Sequence, residues 1–209
     1  LEVLHRFPNI PVRIGDFLHW DVLRLWTEMK EGLRLAASHG PIASIGVDTW
    51  GVDFALIGPN GELLGNPRHY RDPHTETIQE AAFATVSAAE IFKATGLQFL
   101  RFNTLFQLLA MDRDRSPLLA VAESMLLMPD LFHFWLSGVM ANEITNASTT
   151  QCYNPVKRTW ADTLIGRFGL SPTLFGELVP PGTNLGELLP DVAAETGLGP
   201  VPIVAPASH

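Results

Sequence analysis

Ser44-Ile-Gly-Val-Asp-Thr-Trp-Gly-Val-Asp-Phe54 is the stretch on which the fold turns. Gly40-Pro41 stops a helical pattern just before it, and Ile42 to Val47 is the short apolar run of a strand buried on both faces. Such a strand, ending in Asp48-Thr49-Trp50-Gly51, sets polar groups at a carboxyl end, where α/β proteins collect ligands. Gly51 permits a ligand to approach the backbone closely, and Trp50 offers a flat apolar face of the kind on which sugars stack. The same residues suit a tight turn, with Asp48 capping a neighbour and Trp50 in the core. Pattern alone leaves both readings open.

Upstream, Val22, Leu23, Leu25, Trp26, Met29, Leu33 and Leu35 recur at spacings of three and four, which predicts a helix capped by Asp16 or Asp21. Val3 to Phe7 and Phe17 to Trp20 read as two antiparallel strands before it. Downstream, Val52 to Ile57 and Glu62 to Leu64 flank Gly58-Pro-Asn-Gly61, a hairpin signal. Helices are expected over Thr75 to Val86, Ser87 to Ala94, Thr104 to Asp112, Pro117 to Ala122 and Met125 to Leu136. Ser87-Ala-Ala-Glu90 is a capping box, and Gly96 and Gly138 stand where helices end. Residues 139–155 read as extended and turn-rich. Thr159 to Phe168, Ser171 to Leu178 and Asp191 to Thr196 read as helical, and the stretch from Val201 as a buried strand. The class is mixed α/β, a mixed sheet with flanking helices.

The 209 residues are 46% hydrophobic and 17% charged, enough to bury a sizeable core. Mean hydropathy is +0.15, but the longest apolar stretch, Leu118 to Met128, contains Glu123 and falls short of the roughly 20 residues of a membrane span. Fourteen Lys and Arg against 22 Asp and Glu leave a net charge of −8, which argues against a nucleic-acid partner. One cysteine, Cys152, forms no internal disulfide and suits a reducing cytoplasm. The chain opens at Leu1 in strand-like sequence and stops at Ser208-His209 after a strand pattern, so both ends read as cuts inside ordered structure.

Other clusters carry two readings each. In Arg68-His-Tyr70-Arg71-Asp72, Arg71 and Asp72 have the donor and acceptor chemistry to bind vicinal hydroxyls; they equally suit a salt bridge at a helix start. Phe99 to Gln107 combines an aromatic stripe with a capping Asn103 or Thr104, which favours packing. Asp48 and Asp53, five residues apart around Gly51, are a remote candidate for the carboxylate pair of a hydrolase. His69 and His74 lack further ligands for zinc, and Cys152 reads as a buried thiol.

Taken in order, these segments resemble the rhamnulokinase branch of the FGGY carbohydrate kinase family. The resemblance runs through Ser44–Phe54, Tyr70-Arg-Asp72, Thr95–Gln107, Leu126-Leu-Met-Pro-Asp-Leu-Phe132, Thr145–Gln151 and Ala207-Ser-His209. It implies an actin-like ATPase (ribonuclease H-like) fold, truncated at both ends, with residues 1–209 making most of an N-terminal sugar-binding domain. The family's first strand and phosphate loop, and its second, ATP-binding domain, would lie outside the chain. It implies a kinase that uses ATP and Mg to phosphorylate a small-molecule ketose, L-rhamnulose to L-rhamnulose 1-phosphate, with L-fuculose the rival substrate and a non-catalytic sugar-binding module the alternative. Carried over by position, Gly51 and His209 are sugar contacts, with Trp50, Arg71 and Asp72 as pocket neighbours. The catalytic base is expected directly after His209, so the 209 residues alone are expected to be inactive.

Overall fold

Strands β1 (Val12–Ile14) and β2 (Phe17–His19) form an antiparallel hairpin that feeds helix α1 (Val22–Ala37) in the computed structural model, which describes residues 1–209. Asp21 caps α1, its carboxylate accepting from the Arg24 N–H at 3.2 Å. The expected strand over Val3 to Phe7 is not formed. The partner of Phe17–His19 is Val12–Ile14, and a strand needs a paired neighbour. The segment leans on α1 instead, with His5 Nε2 2.7 Å from Glu28.

After α1 the chain runs through Ile42–Val47 to β3 (Phe54–Ile57), then α2 (Ile78–Thr85), α3 (Ala88–Thr95), α4 (Thr104–Arg113) and α5 (Pro117–Val121). The capping box at Ser87 and Glu90 is formed. So is the hairpin turn after β3, where Asn60 and Gly61 both take positive φ, 61° and 79°.

β4 (Ser124–Leu127) pairs antiparallel with β3 and leads into α6 (Met128–Ser137). The single helix expected over Met125 to Leu136 is thus a strand followed by a helix, with Pro129 in the first turn, where proline is tolerated. The ladder is sandwiched. Ala55, Ile57 and Leu126 face one apolar core with α1 and α6; Phe54, Leu56, Met125 and Leu127 face a second with α4. Alternation thus runs between two apolar faces, which appears in sequence as an unbroken apolar run.

The remainder is built from short pieces: β5 (Asn142–Glu143), α7 (Ile144–Ala147), β6 (Tyr153–Asn154), β7 (Thr159–Trp160), α8 (Asp162–Arg167), β8 (Leu178–Val179), β9 (Asn184–Glu187), α9 (Pro190–Thr196) and β10 (Pro202–Val204). Two helical expectations shorten. Thr159 to Phe168 begins as a strand, and Ser171 to Leu178 is a single 3₁₀ turn followed by β8. β5 and β8 run parallel, β9 and β10 antiparallel, so the pairing is mixed.

Ile42–Val47 meets β10 through one parallel bridge, Ile45 to Ile203. The Ile45 N–H donates to Pro202 O at 2.9 Å and the Val204 N–H to Ile45 O at 2.8 Å. This bridge aligns Asp48–Gly51 with the residues following β10. Ile203 is fully buried at its centre. Ile203→Ala is expected to lower unfolding free energy by about 2–5 kcal/mol in urea titration, as for other buried aliphatic truncations.

Candidate functional site

Beyond the extended segment Ile42–Val47 the backbone reverses in three residues. The Asp53 N–H donates to Gly51 O at 2.9 Å, and Val52 between them has φ 68°. This is a γ-turn of the rare positive-φ kind, centred on a β-branched residue. Strain of this sort costs on the order of 1–3 kcal/mol and persists only where its surroundings over-determine it. They do so here: the Val52 N–H donates to Thr149 Oγ1 at 3.0 Å, while Val52 O accepts from Thr104 Oγ1 at 2.6 Å and Gln107 Nε2 at 3.2 Å. Gly51 is required by contact. A Cβ there would lie 2.9 Å from Thr149 Cγ2 and 3.1 Å from Thr149 Cβ.

Asp53, fully buried, anchors the turn from below. Its Oδ2 accepts from Trp20 Nε1 at 2.5 Å, Trp50 Nε1 at 3.0 Å and the Tyr70 N–H at 3.2 Å, and its Oδ1 from Gln107 Nε2 at 2.9 Å. Burial raises its pKa to about 6, against the pull of these four donors. The rings it gathers form a continuous wall: Trp20 packs on Trp50 at 4.2 Å and on His69 at 3.9 Å, and Tyr70 meets Phe102 edge-on at 5.6 Å.

The facing wall comes from α7 and the 3₁₀ turn after it, Ser148–Thr150, together with the segment after β10. Asn146 Nδ2 donates to Trp50 O at 3.4 Å, and Thr149 Oγ1 holds Val52. Between the walls lies a cavity of about 400 Å³, lined by Trp50, Gly51, Tyr70, Asn103, Thr149 and His209, with Val52, Leu97, Leu100, Phe102 and Ser148 completing it. Its lining contains no Asp, Glu, Lys or Arg. One side is aromatic and aliphatic, the other carries hydroxyl, amide and imidazole groups. That combination suits a neutral polyhydroxylated molecule, with rings stacking on its C–H faces and polar groups reading its hydroxyls.

Three of the five residues singled out by sequence, Trp50, Gly51 and His209, meet in this cavity; Arg71 and Asp72 do not line it. Asp72 is buried and accepts from the Leu18 N–H at 2.6 Å, the His74 N–H at 3.0 Å and His74 Nδ1 at 2.8 Å, clamping β2 to a 3₁₀ turn. Burial works against its charge, but those hydrogen bonds hold its carboxyl below the usual range. Arg71 is exposed, its guanidinium 5.3 Å from the Tyr70 ring on the cavity's rim.

Asp48 and Asp53 do not face one ligand. Asp48 lines a separate, mostly apolar cavity of about 440 Å³ between α1 and Ile45–Trp50, and the oxygens of Asp53 are taken up by its donors. No group of three His, Cys, Asp or Glu side chains has an arrangement that could hold a metal ion. Cys152 is fully buried, and burial pushes its thiol pKa up.

Sequence reasoning did not assign Tyr70, Asn103, Ser148 and Thr149 to the site. Asn103 occupies the position before α4 without capping it: its Nδ2 donates to Gln98 O at 2.9 Å and Gln151 Oε1 at 2.7 Å. The available signal was Thr145–Gln151, a hydroxyl- and amide-rich run in a chain otherwise 46% hydrophobic.

The profile of the N-terminal domain of the FGGY family of carbohydrate kinases matches residues 9–208. The rhamnulokinase of Bacteroides thetaiotaomicron is 42% identical over 210 residues, an alignment covering 100% of this chain and 43% of that protein. The rhamnulokinase of Klebsiella pneumoniae is 39% identical over 210 residues, covering 100% and 42%. The chain thus spans less than half the length of these curated relatives. Among solved structures, the xylulose kinase from Rhodospirillum rubrum superposes with a TM-score of 0.87 at 17% identity, over 96% of this chain and 43% of that one. The gluconate kinase from Lactobacillus acidophilus gives 0.86 at 18% identity, over 96% and 42%. The fold shared with these neighbours is the actin-like ATPase fold.

Two outcomes are expected from the turn and its anchor. With its pKa raised from 3.8 to about 6, the folded state takes up a proton on Asp53 before the unfolded state does. This group's contribution therefore favours folding as pH falls from about 7 toward 4, by at most about 3 kcal/mol. Because two indoles donate to Asp53, tryptophan fluorescence should titrate with a midpoint near 6, and Asp53→Asn should abolish that transition. At Val52, glycine relieves the positive φ while alanine keeps it. Chemical denaturation should therefore rank Val52→Gly at least as stable as Val52→Ala, the reverse of the order at an unstrained position.

Proposed function

The chain belongs to the FGGY family of carbohydrate kinases, and on that premise we propose that it forms the sugar-binding half of a kinase that phosphorylates a ketose, L-rhamnulose, to the 1-phosphate. The observation that carries this reading is the uncharged cavity in which Trp50, Gly51 and His209 meet hydroxyl and amide groups. Gly51 supplies close backbone approach: its own N–H makes no hydrogen bond within the fold and is free to donate to the sugar. His209 pairs with hydroxyls, Asn103, Ser148 and Thr149, whose protons are already donated within the fold, serve as acceptors from them, and Trp50 stacks on the sugar's C–H face. Leu97 and Leu100 suit the methyl end of a deoxy sugar better than a further hydroxyl. Asp72 and Arg71 serve from outside, by fixing β2 and by backing Tyr70.

A neutral lining does not fit ATP or Mg. A triphosphate needs positive charge or a cradle of N–H groups, and magnesium needs carboxylate oxygens. Neither lies in this cavity, so these residues bind and orient the sugar, and the phosphate groups belong elsewhere in the kinase. By resemblance to the family, the general base that deprotonates the attacking hydroxyl would follow His209. On this reading the 209 residues alone bind sugar without phosphorylating it, in a reducing cytoplasm that leaves Cys152 a thiol.

An ADP-release assay of the full-length protein with L-rhamnulose, L-fuculose, L-xylulose and glycerol should show preference for L-rhamnulose, and none with the 209 residues alone. Gly51→Ala, which drives a methyl into Thr149, should raise the ketose KM about tenfold, equivalent to about 1.4 kcal/mol. Turnover of no ketose by the full-length protein would overturn the kinase reading and favour a binding module.

A further inference from the structure

The wall that carries His209 is held by another buried carboxylate. Glu143, at the end of β5, has no exposed surface, and no Lys, Arg or His lies within ion-pair distance of it. It is surrounded by donors instead. Its Oε1 accepts from the Thr145 N–H at 2.9 Å; its Oε2 accepts from the Asn146 N–H at 3.2 Å, from Ser208 Oγ at 3.3 Å and, in a short contact, from Thr145 Oγ1. Thr145 Oγ1 in turn accepts from the Ser208 N–H at 3.1 Å. Ser208 is thus gripped at backbone and side chain by one Glu–Thr unit, and His209 is the next residue.

Helix α7 and the 3₁₀ turn after it reach the opposite wall through Asn146 to Trp50 and Thr149 to Val52. A buried carboxylate without a cation is unfavourable unless hydrogen bonds hold it, and removing one partner leaves the others unsatisfied. These bonds bring together residues 65 positions apart in the chain, Glu143 and Ser208, at the edge of the cavity.

We propose that Glu143, acting through Thr145, is a positioning residue that fixes Ser208 and so sets His209 against the Gly51 wall for sugar recognition. The inference rests on the sugar-binding reading of this cavity, but its mechanical half does not. Three variants of the full-length protein separate the possibilities. Thr145→Val is nearly isosteric and removes the hydroxyl, Thr145→Ser restores it, and Ser208→Ala cuts only the side-chain link.

Without sugar, amide exchange over residues 207–209 should accelerate about fivefold or more in Thr145→Val and Ser208→Ala and remain at the parent rate in Thr145→Ser. The ketose KM should rise about three- to tenfold in the first two variants, the range a single hydrogen bond supports, with the ATP KM unchanged and Tm within about 2 °C. Parent-like exchange in Thr145→Val would overturn the proposal. So would faster exchange with an unchanged ketose KM, or with ketose and ATP constants moving together. If the parent protein phosphorylates no ketose, the kinase reading fails by itself, and the exchange comparison still decides whether Glu143 and Thr145 hold the segment.

Discussion

A carboxylate buried among donors is the constraint from which most of this structure follows. Asp53 lies beneath the γ-turn with no cation beside it, so its neighbours must donate: two indoles, an amide side chain and a backbone N–H. Those four donors come from four places: Trp20 after the hairpin, Trp50 before the turn, Tyr70 in the loop beyond β3, and Gln107 on α4. Satisfying one charge fixes four segments relative to one another. Aromatic packing then adds what directional bonds cannot, a continuous wall from Trp50 through Trp20 and His69 to Tyr70.

A second constraint acts at the other end of the same cavity. The pocket forms where extended segments end, beyond Val47 and beyond β10, as expected at the carboxyl ends of strands in this fold class. Strand ends diverge and leave backbone groups unpaired, and the fold closes them with side chains. His133 Nε2 accepts from the Val47 N–H at 3.0 Å, and Asp130 Oδ1 from the Glu143 N–H at 3.2 Å. Burial raises the Asp130 pKa to about 6, so the charge of this helix-borne carboxylate is itself only marginally stable. Asp53 and Asp130 thus lie outside the cavity lining, which is made of uncharged residues.

Hydrophobic patterning made the α1 stripe, the Asn60-Gly61 hairpin and the capping box at Ser87 legible in the sequence, because each depends on neighbours a few residues away. The strand at Met125–Leu127 was hidden because burial on both faces erases alternation, leaving an apolar run equally compatible with a helix. Val3–Phe7 had strand composition but no partner, and pairing is not a property of one segment. The apolar run Ile42–Val47 is not the expected strand buried on both faces but an extended segment with one bridge, Ala43, Ser44 and Gly46 being exposed. In the site, Gly51 and Trp50 stood out by their place after that run. Thr149 did not, since its role comes from contact across 97 positions with Val52. Asp72 carried a signal with two meanings, and its contacts are those of a clamp.

Helix α7 shows why a periodicity-based reading runs out at the site. It has four residues, far below the length at which an isolated helix holds itself together. Its order must come from side chains: Glu143 caps its first N–H groups, and Thr149, just beyond it, returns a hydroxyl to Asn146 O at 2.8 Å. Hydroxyls and amides that serve as structural bonds in this way are unavailable to water, and the few that remain at the cavity surface are oriented before any ligand arrives. Such preorganisation reduces the entropy lost on binding. The polar run Thr145–Gln151 therefore serves the fold and the cavity lining with the same residues. Its folding bonds also orient the hydroxyls that Ser148 and Thr149 present at the cavity lining.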